Sequence, residues 1–227
     1  REEVLTAPGT QGDTLKIVSN LPGAANAKDL VLRGSEPRES LASLEYNQIP
    51  ILYHFGNVRS SFNSSFLKEL NYYPGNFNTE FGNFTGGVVD IKVRDPATDQ
   101  LHGDFDLNVY DFGFTLEGPI TKKLSAGISA HRSWIDFVLT PFKDIFNSSG
   151  IIIETLPRYY DYQVLSTYKY STTHNLKTII YGSDDSFILF MDNPKNSKDN
   201  RVQGQLLLNA NFHKAQISLN SDFSPRF

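Results

Sequence analysis

The sequence predicts a mainly β protein in which a small α+β domain precedes a series of long antiparallel strands. Residues 1–96 contain short apolar segments separated by glycine, proline and asparagine. Residues 97–227 instead alternate apolar and polar side chains over long stretches, which is the pattern of strands with one apolar face. The segment Tyr73–Pro96 lies where the first pattern gives way to the second.

The segment Tyr73–Pro96 combines turns with a strand. Val89, Ile91 and Val93 alternate with polar residues, which predicts a half-buried strand over Val88–Arg94. Pro96 ends this strand because proline has no N–H for a continuing ladder. Four glycines are predicted to occupy tight or positive-φ turns before it. These are Gly75, Gly82, Gly86 and Gly87.

Composition excludes several classes of protein. A net charge of -4 and a pI near 5.7 give no basic surface for nucleic acid. The absence of cysteine excludes disulfides and thiolate zinc sites. No apolar run reaches the ~18 residues of a membrane-spanning helix. The mean hydropathy of -0.33 fits a soluble protein, and it equally fits a transmembrane β-barrel, whose strands are only half apolar.

Short elements fill the first 96 residues. Asp13 is the predicted N-cap of a short amphipathic helix that Pro22 and Gly23 end. Phe62, Phe66, Leu67 and Leu70 share one helical face, which predicts a second short helix. Three strand-like segments are predicted between them, the third an edge segment because of its proline. They are Leu30–Arg33, Leu41–Glu45 and Ile49–Ile51, with a turn at Tyr46–Gln48 before the last.

About six strands are predicted after residue 96. The alternation slips in phase at Tyr110-Asp111, which predicts a β-bulge or a strand that crosses between environments. Connections at Gly118–Lys123, Ser171–Asn175 and His213-Lys214 are short, whereas those at Thr140–Arg158 and 184–200 are long. Short turns on one rim and long loops on the other are typical of outer-membrane barrels. A soluble β-sandwich with an apolar core face also fits this half. In a barrel, four aromatic residues suit an interfacial girdle: Trp134, Tyr159, Tyr160 and Tyr162.

Several ordered motifs resemble the plug domain of TonB-dependent outer-membrane receptors. They are GDTLKIVSNLPG, VLRGSEPRES, YNQIPI and FNSSFLKELNYYPGNFNTEFGNFTGGVVDIKVRDP. HGDFDLNVYDFGFTLEGPI and SAHRSWIDFVL resemble the first barrel strands of some receptors. Two departures stand out, because Asn47-Gln48 replaces the usual Asp-Gly and Tyr73 replaces a frequent arginine.

The resemblance implies a plug domain over residues 1–96 and the first part of a transmembrane β-barrel over residues 97–227. It implies the outer membrane of a Gram-negative bacterium as the location. Plugged transporters use about 22 strands, so the six strands predict an incomplete piece of a longer protein.

The resemblance also implies functional residues. Arg33, followed by Gly34, matches a plug arginine that pairs with acidic groups on the barrel wall and latches the plug. The loops after Arg33 and after Ile51 match the outward plug apices where ligands rest. Each of their residues is a candidate ligand contact or, equally, an ordinary loop residue. The candidates are Glu36, Arg38, Tyr53, His54, Phe55 and Arg59.

The leading hypothesis is a receptor that binds a small-molecule or oligomeric nutrient outside and imports it. Its partners are outer-membrane lipid, the TonB energy-coupling protein and possible other membrane or surface subunits. One alternative is a receptor-like barrel that serves as a structural or interaction subunit without transport. Another is a soluble secreted β-domain that binds carbohydrate.

No catalytic constellation, cofactor motif or metal site is predicted. Ser65-Phe66-Leu67-Lys68 fits the S-x-x-K pattern of β-lactam-binding enzymes, but the companion motifs are missing. The five histidines are scattered, and no pair has the spacing of metal ligands. The sequence therefore predicts a binding and gating protein and no enzyme.

Overall fold

The computed structural model describes residues 13–25, 30–36, 39–55, 58–142, 144–145, 151–191 and 204–222. Two larger sheets organise these residues, one of four strands and one of six, beside a two-stranded ribbon. We call the described part of residues 13–95 the plug and the six-stranded sheet the wall.

The plug is built from short elements around a mixed sheet. The sheet has the strand order β4-β3-β6-β5, with β3 and β6 parallel and the other neighbours antiparallel. The ribbon pairs β1 with β2. The elements in chain order are a 3₁₀-helix Thr14–Asn20, β1 Ala24–Ala25, β2 Val31–Leu32, β3 Leu41–Leu44, β4 Asn47–Gln48, a 3₁₀-helix Ser64–Phe66, β5 Leu67–Tyr73 and β6 Val88–Val93.

The first helix begins where the sequence predicts it. The Asp13 carboxylate accepts a hydrogen bond from the Leu15 N–H, which confirms the N-cap. The helix is 3₁₀, with three residues per turn, so Leu15 and Val18 lie one above the other. Both side chains are fully buried.

Strand β6 is buried on both faces, although the alternation predicts a half-buried strand. It lies between β3 and β5, and only Lys92 among its residues is partly exposed. The Asp90 carboxylate accepts a hydrogen bond from Ser43 Oγ at 3.1 Å and lies 3.0 Å from Lys92 Nζ. The alternating charges are therefore paired inside the plug.

The predicted helix over residues 62–70 is wrong. A single 3₁₀ turn ends at Phe66, and the chain then enters β5, which pairs with β6 from Leu67 to Tyr73. Helical spacing of four apolar residues is a weak local signal, and the tertiary pairing with β6 overrides it.

Gly86 and Gly87 serve close packing, and the asparagines after Gly75 and Gly82 make the left-handed turns. Asn76 and Asn83 have φ of 56° and 70°, a conformation that asparagine tolerates better than most residues. A Cβ on Gly86 would lie 2.6 Å from Ser35 Oγ, and one on Gly87 would lie 2.7 Å from a methyl carbon of Leu32. The positive-φ assignment therefore fails for the predicted turn glycines of this segment.

The wall is an antiparallel meander. Its order is β12-β11-β10-β9-β8-β7, so each strand pairs with its neighbours in sequence, and β7 and β12 form the two edges of an open sheet. The elements are β7 His102–Leu107, β8 Asp111–Pro119, β9 Leu124–Ser133, α1 Ile135–Leu139, a 3₁₀-helix Thr140–Phe142, β10 Ile151–Lys169, β11 His174–Met191 and β12 Gly204–Ser221.

The two faces of the wall differ in polarity. On β8, Asp111 and Thr115 are buried, whereas Phe112, Phe114 and Leu116 are exposed on the other face. The same alternation holds on β9, with buried serines and His131 opposite Ile128. A polar inner face and an apolar outer face are the reverse of a sandwich core, and they match a membrane barrel.

The number of strands agrees with the prediction, but several boundaries differ. β10 begins at Ile151 and β11 continues to Met191, so both strands extend into the long connections predicted at Thr140–Arg158 and 184–200. The phase slip at Tyr110-Asp111 is the turn between β7 and β8, because Asn108 N–H donates to the Asp111 carbonyl at 2.8 Å. The predicted connection at His213-Lys214 lies inside the continuous strand β12. The structure therefore has one strand, β12, where two were predicted, and two strands, β7 and β8, where one strand with a phase slip was predicted.

The plug packs against the polar face of the wall. One hydrophobic cluster joins Leu15, Phe62 and Ile91 of the plug to Leu165 and Tyr181 of the wall. Tyr159, predicted for the girdle, also points toward the plug and is fully buried. The core of the molecule thus lies between plug and wall.

Candidate functional site

The plug loop of residues 50–55 and 58–63 carries the main polar contacts between plug and wall. It contains four of the predicted ligand-contact residues, and two of them, His54 and Arg59, are directed at carboxylates of the wall. The resulting arrangement, the His54–Arg59 network, consists of His54, Arg59, Asp106, Asp111, His131, Tyr159, Asp161 and Asp185.

The His54 ring lies between two wall carboxylates. Its Nε2 is 3.1 Å from Asp161 Oδ2, and its Nδ1 is 2.5 Å from Asp185 Oδ1. Carboxylates accept hydrogen bonds, so both ring nitrogens donate and the ring is an imidazolium. Burial opposes this charge, but the hydrogen bonds to Asp161 and Asp185 outweigh it and raise the pKa of His54 to about 9. The ring also stacks on Tyr159, with centroids 4.1 Å apart.

Arg59 connects the same loop to the next wall strands. Its Nη1 is 2.7 Å from Asp106 Oδ2 and 3.1 Å from Asp111 Oδ1. Burial alone would lower the pKa of Arg59. The nearby carboxylates Asp111 and Asp106 raise it by more than burial lowers it, so the pKa lies above its usual value. The side chain is thus a permanent cation held by carboxylates of β7 and β8.

His131 completes the network as a neutral ring. Its Nε2 lies 3.0 Å from Arg59 Nη2, and a guanidinium can only donate, so Nε2 accepts. The proton is then on Nδ1, which donates to Asp161 Oδ1 at 2.9 Å. A continuous hydrogen-bonded path therefore runs from Asp106 through Asp161 to Asp185.

The network contains four carboxylates and two cations, so it carries two excess negative charges. Tyr159 hydroxyl and Phe55 N–H satisfy further carboxylate oxygens, at 2.7 Å from Asp111 and 2.8 Å from Asp185. Removal of one partner from such a buried set leaves an uncompensated charge, at a cost of about 3–5 kcal/mol. The network therefore binds the plug strongly to the wall.

Of the other predicted ligand contacts, the structure places Tyr53 and Phe55 beside one cleft and Glu36 elsewhere. Tyr53 is buried, and its hydroxyl donates to the Leu15 carbonyl at 2.6 Å. Phe55 is half-buried beside the wall, and Glu36 is exposed on a different loop. Arg38 lies outside the described residues. His54 and Arg59 face the wall, so in this arrangement the fully buried His54 ring has no surface to offer a ligand.

Arg33, the predicted latch, is exposed. Its φ of 54° and that of Gly34, 74°, place both residues in a left-handed turn. The Arg33 side chain lies over Gly23 and Gly75. Among the described residues it makes no ion pair with the wall.

Two other basic residues make plug–wall ion pairs that the sequence analysis missed. The Arg94 guanidinium contacts both oxygens of Glu117, at 2.7 and 2.5 Å. Lys177 of the wall donates to the Val93 carbonyl at 2.6 Å and lies 3.3 Å from Glu45 Oε1. The parity of β8 is the signal that could have found Glu117, because it shares the polar face with Asp111 and Thr115.

The described residues enclose two cavities between plug and wall, near opposite rims. The upper cleft, about 300 Å³, lies toward the rim of the long connections at 134–150 and 192–203. The lower cavity, about 810 Å³, lies toward the rim of the short turns at 120–123 and 170–173.

The two linings differ in character. The lower cavity has many charged and amide side chains, including Lys92, Arg94, Lys177, Glu45 and Gln216. The upper cleft is mainly apolar. Its lining residues are Pro50, Ile51, Tyr53, Phe55, Asp185, Leu207, Leu208, Asn209 and Ala210.

The described part of the chain contains neither a metal-ion cluster nor a membrane-spanning helix. No group of three or more His, Asp or Glu side chains there could hold a metal ion. No helix in those ranges has both the length and the apolar character needed to cross a membrane.

Comparisons with known proteins identify structural neighbours. No protein-family model matches the chain, and no curated protein matches it. The siderophore receptor PirA from Acinetobacter baumannii is similar with a TM-score of 0.62 at 16% identity, over 98% of this chain and 37% of that one. A mutant of the ferric enterobactin receptor PfeA from Pseudomonas aeruginosa, in complex with enterobactin, gives 0.58 at 16% identity, over 95% and 37%.

PirA from Pseudomonas aeruginosa gives a TM-score of 0.55 at 17% identity, over 96% of this chain and 40% of that chain. The chain thus spans less than half of the length of each of these receptors. Plug and wall, packed on each other through the polar face of the sheet, have the fold of TonB-dependent siderophore receptors.

Proposed function

We propose that this chain is the plug and the first barrel strands of an outer-membrane receptor that binds a small molecule outside the cell and imports it. The observation that carries the proposal is the packing of the plug, through the His54–Arg59 network, on the polar face of a sheet whose other face is apolar. A plug fastened by removable polar contacts inside a lipid-facing wall is suited to gating.

The division of the chain follows the two sheets. Residues 1–96 form the plug domain and residues 97–227 the first part of the barrel in this proposal. The rim with the long connections faces outside, and the rim with the short turns faces the periplasm. The upper cleft then opens to the exterior and holds the ligand, with Phe55 as its contact from the plug.

Gating requires that the plug–wall contacts be released in turn. Arg59 and Arg94 take the latch role that the resemblance assigns to Arg33, because both pair with inward carboxylates of the wall. The energy comes from the TonB protein, which acts on the plug from the periplasm. The protein binds and gates, and no group of residues in the proposal performs chemistry.

The test is uptake by the full-length protein in its own host. Ferric siderophores purified from the iron-starved medium of that host, labelled with radioactive iron, should accumulate in cells that carry the gene. Accumulation should stop when either this gene or that of TonB is deleted. Equal accumulation in all three strains would refute import. Stable co-purifying protein subunits without uptake would instead establish the structural role.

A further inference from the structure

The inner face of the wall becomes apolar toward the rim of the long connections. Leu206, Leu208 and Ala210 share a face of β12 with Phe212, whose ring contacts Tyr181 in the core between plug and wall. Leu206 and Leu208 are nevertheless 47% and 38% exposed. Within the described part of the chain, these two leucines are therefore uncovered on the side that the wall turns toward the plug.

Apart from the exposed Leu207, the outer face of the same part of β12 is polar. Asn209, Asn211 and His213 occupy the alternate positions there, whereas Ala215, Ile217 and Leu219 occupy them further along the strand. The apolar positions thus change face at His213. Lipid contact explains the outer apolar residues near the end of β12, but it does not explain the inner ones near its start.

The plug and β11 extend this inner apolar surface. Phe187 pairs with Leu208 across the two strands and so lies on the same face. Ile51 and Phe55 of the plug line the upper cleft opposite Leu208 and Ala210. Exposed apolar surface in a cleft of this kind is stabilised when a ligand with an apolar face covers it.

The charge around the cleft disfavours anions. Asp185 is the only charged residue in the described lining, and no lysine or arginine lines it. Below it, the His54–Arg59 network carries two excess negative charges. Lys16 and Asp13 lie close enough to influence this network, and their opposite charges cancel. An anion that enters the cleft therefore meets net repulsion.

We infer that the ligand of the upper cleft is neutral or cationic and buries an apolar face against β12 and Phe55. The inference rests on the proposed function, since it names the ligand class of the same receptor.

Three chelates with the same iron-binding groups and different charges at one end test the inference. Ferrioxamine B carries one positive charge, its N-acetyl derivative is neutral, and its N-succinyl derivative is negative. Each is labelled with radioactive iron, and its binding to the full-length protein in nanodiscs is measured by filtration. The cationic and neutral chelates should bind at least about tenfold more tightly than the anionic one.

Neighbouring substitutions on β12 locate the contact. Leu208→Asp places a charge on the inner apolar face and should weaken binding of the neutral chelate about tenfold or more. Asn211→Asp places the same charge three residues away on the outer face, outside the lining of the cleft, and should change binding less than about twofold. Leu208→Asn repeats the test without a charge. Heat-modifiable migration on gels verifies that each variant is folded.

Three results would overturn the inference: tighter or equal binding of the anion, equal effects of the two aspartate variants, or no binding of any chelate. Import is scored separately, by accumulation in cells with and without TonB. Charge-selective binding without accumulation would refute the proposed import but not the ligand class. TonB-dependent accumulation of all three chelates alike would support the proposed import but refute the ligand class.

Discussion

The Arg59 guanidinium lies 3.0 Å from Nε2 of His131, so a plug cation fixes the tautomer of a wall histidine. That tautomer directs the Nδ1 proton of His131 to Asp161, which also accepts from His54. Two plug side chains five residues apart therefore act on one buried wall carboxylate. Substitution of either His54 or Arg59 is therefore expected to weaken the contacts that the other makes with the wall.

Replacement of Arg59 should loosen the plug. Arg59→Ala leaves Asp106 and Asp111 without their cation and should destabilise the full-length protein by about 3–5 kcal/mol. Thermal unfolding and antibiotic leakage through the outer membrane measure the effect. Arg33→Ala is the control, because the exposed Arg33 has no described ion pair with the wall. Equal leakage in the two variants would contradict the assignment of Arg59 as the latch.

Stability should fall as the pH rises through the titration of His54. The pKa of His54 is about 9 in the folded protein and ~6.5 in the unfolded chain. Between these two pH values the folded state therefore binds more protons than the unfolded chain. The stabilisation that protonated His54 contributes is complete below pH ~6.5 and is lost by about pH 9. The loss should be about 3 kcal/mol.

Chemical unfolding of the full-length protein at several pH values measures this slope. His54→Gln is the matched control, since an amide does not titrate in this range. It should remove the slope between pH ~6.5 and ~9, whatever its effect on absolute stability. An unchanged slope in the variant would assign the titration to another group.

The Arg94–Glu117 pair should show strong coupling. A double-mutant cycle with Arg94→Ala and Glu117→Ala should give about 1–3 kcal/mol, because the contact is bidentate and partly buried. Arg94→Lys should recover only part of it, since lysine lacks the planar fork. The control cycle on Asp99 and His102, a pair whose side chains are exposed, should give less than about 0.5 kcal/mol.

Substitution of Gly87 should destabilise the plug through crowding. The Cβ in Gly87→Ala would lie 2.7 Å from a methyl carbon of Leu32 and 2.9 Å from the Tyr73 carbonyl oxygen, which belongs to the backbone of β5. The expected cost is about 1–3 kcal/mol in thermal unfolding. Gly82→Ala is the control, as the nearest atom to its Cβ is 3.9 Å away. Equal melting temperatures for both variants would count against the close approach at Gly87.

The sequence predicts the wall better than the plug, and the reason is the environment of each. On β8 and β9 one face is apolar and the other polar, so the period of two is visible and the strands lie where it predicts them. On β6 both faces are buried, so Asp90 and Lys92 look exposed in the sequence although they pair internally. On β12 the apolar positions change face at His213, and the sequence alone reads this change as a turn.

By itself, the sequence determined the mainly β class, the N-cap at Asp13 and the period-two strands that form the wall, because each depends on neighbouring residues in the chain. It also carried the ordered motifs of the plug. Only the tertiary structure decided which charges meet. His54 and Asp185 are 131 positions apart, and their contact depends on the docking of a plug loop on a strand face. No local propensity specifies a contact between residues so far apart in the chain. The sequence therefore predicts His54 as a ligand contact, whereas in the fold it binds the plug to the wall.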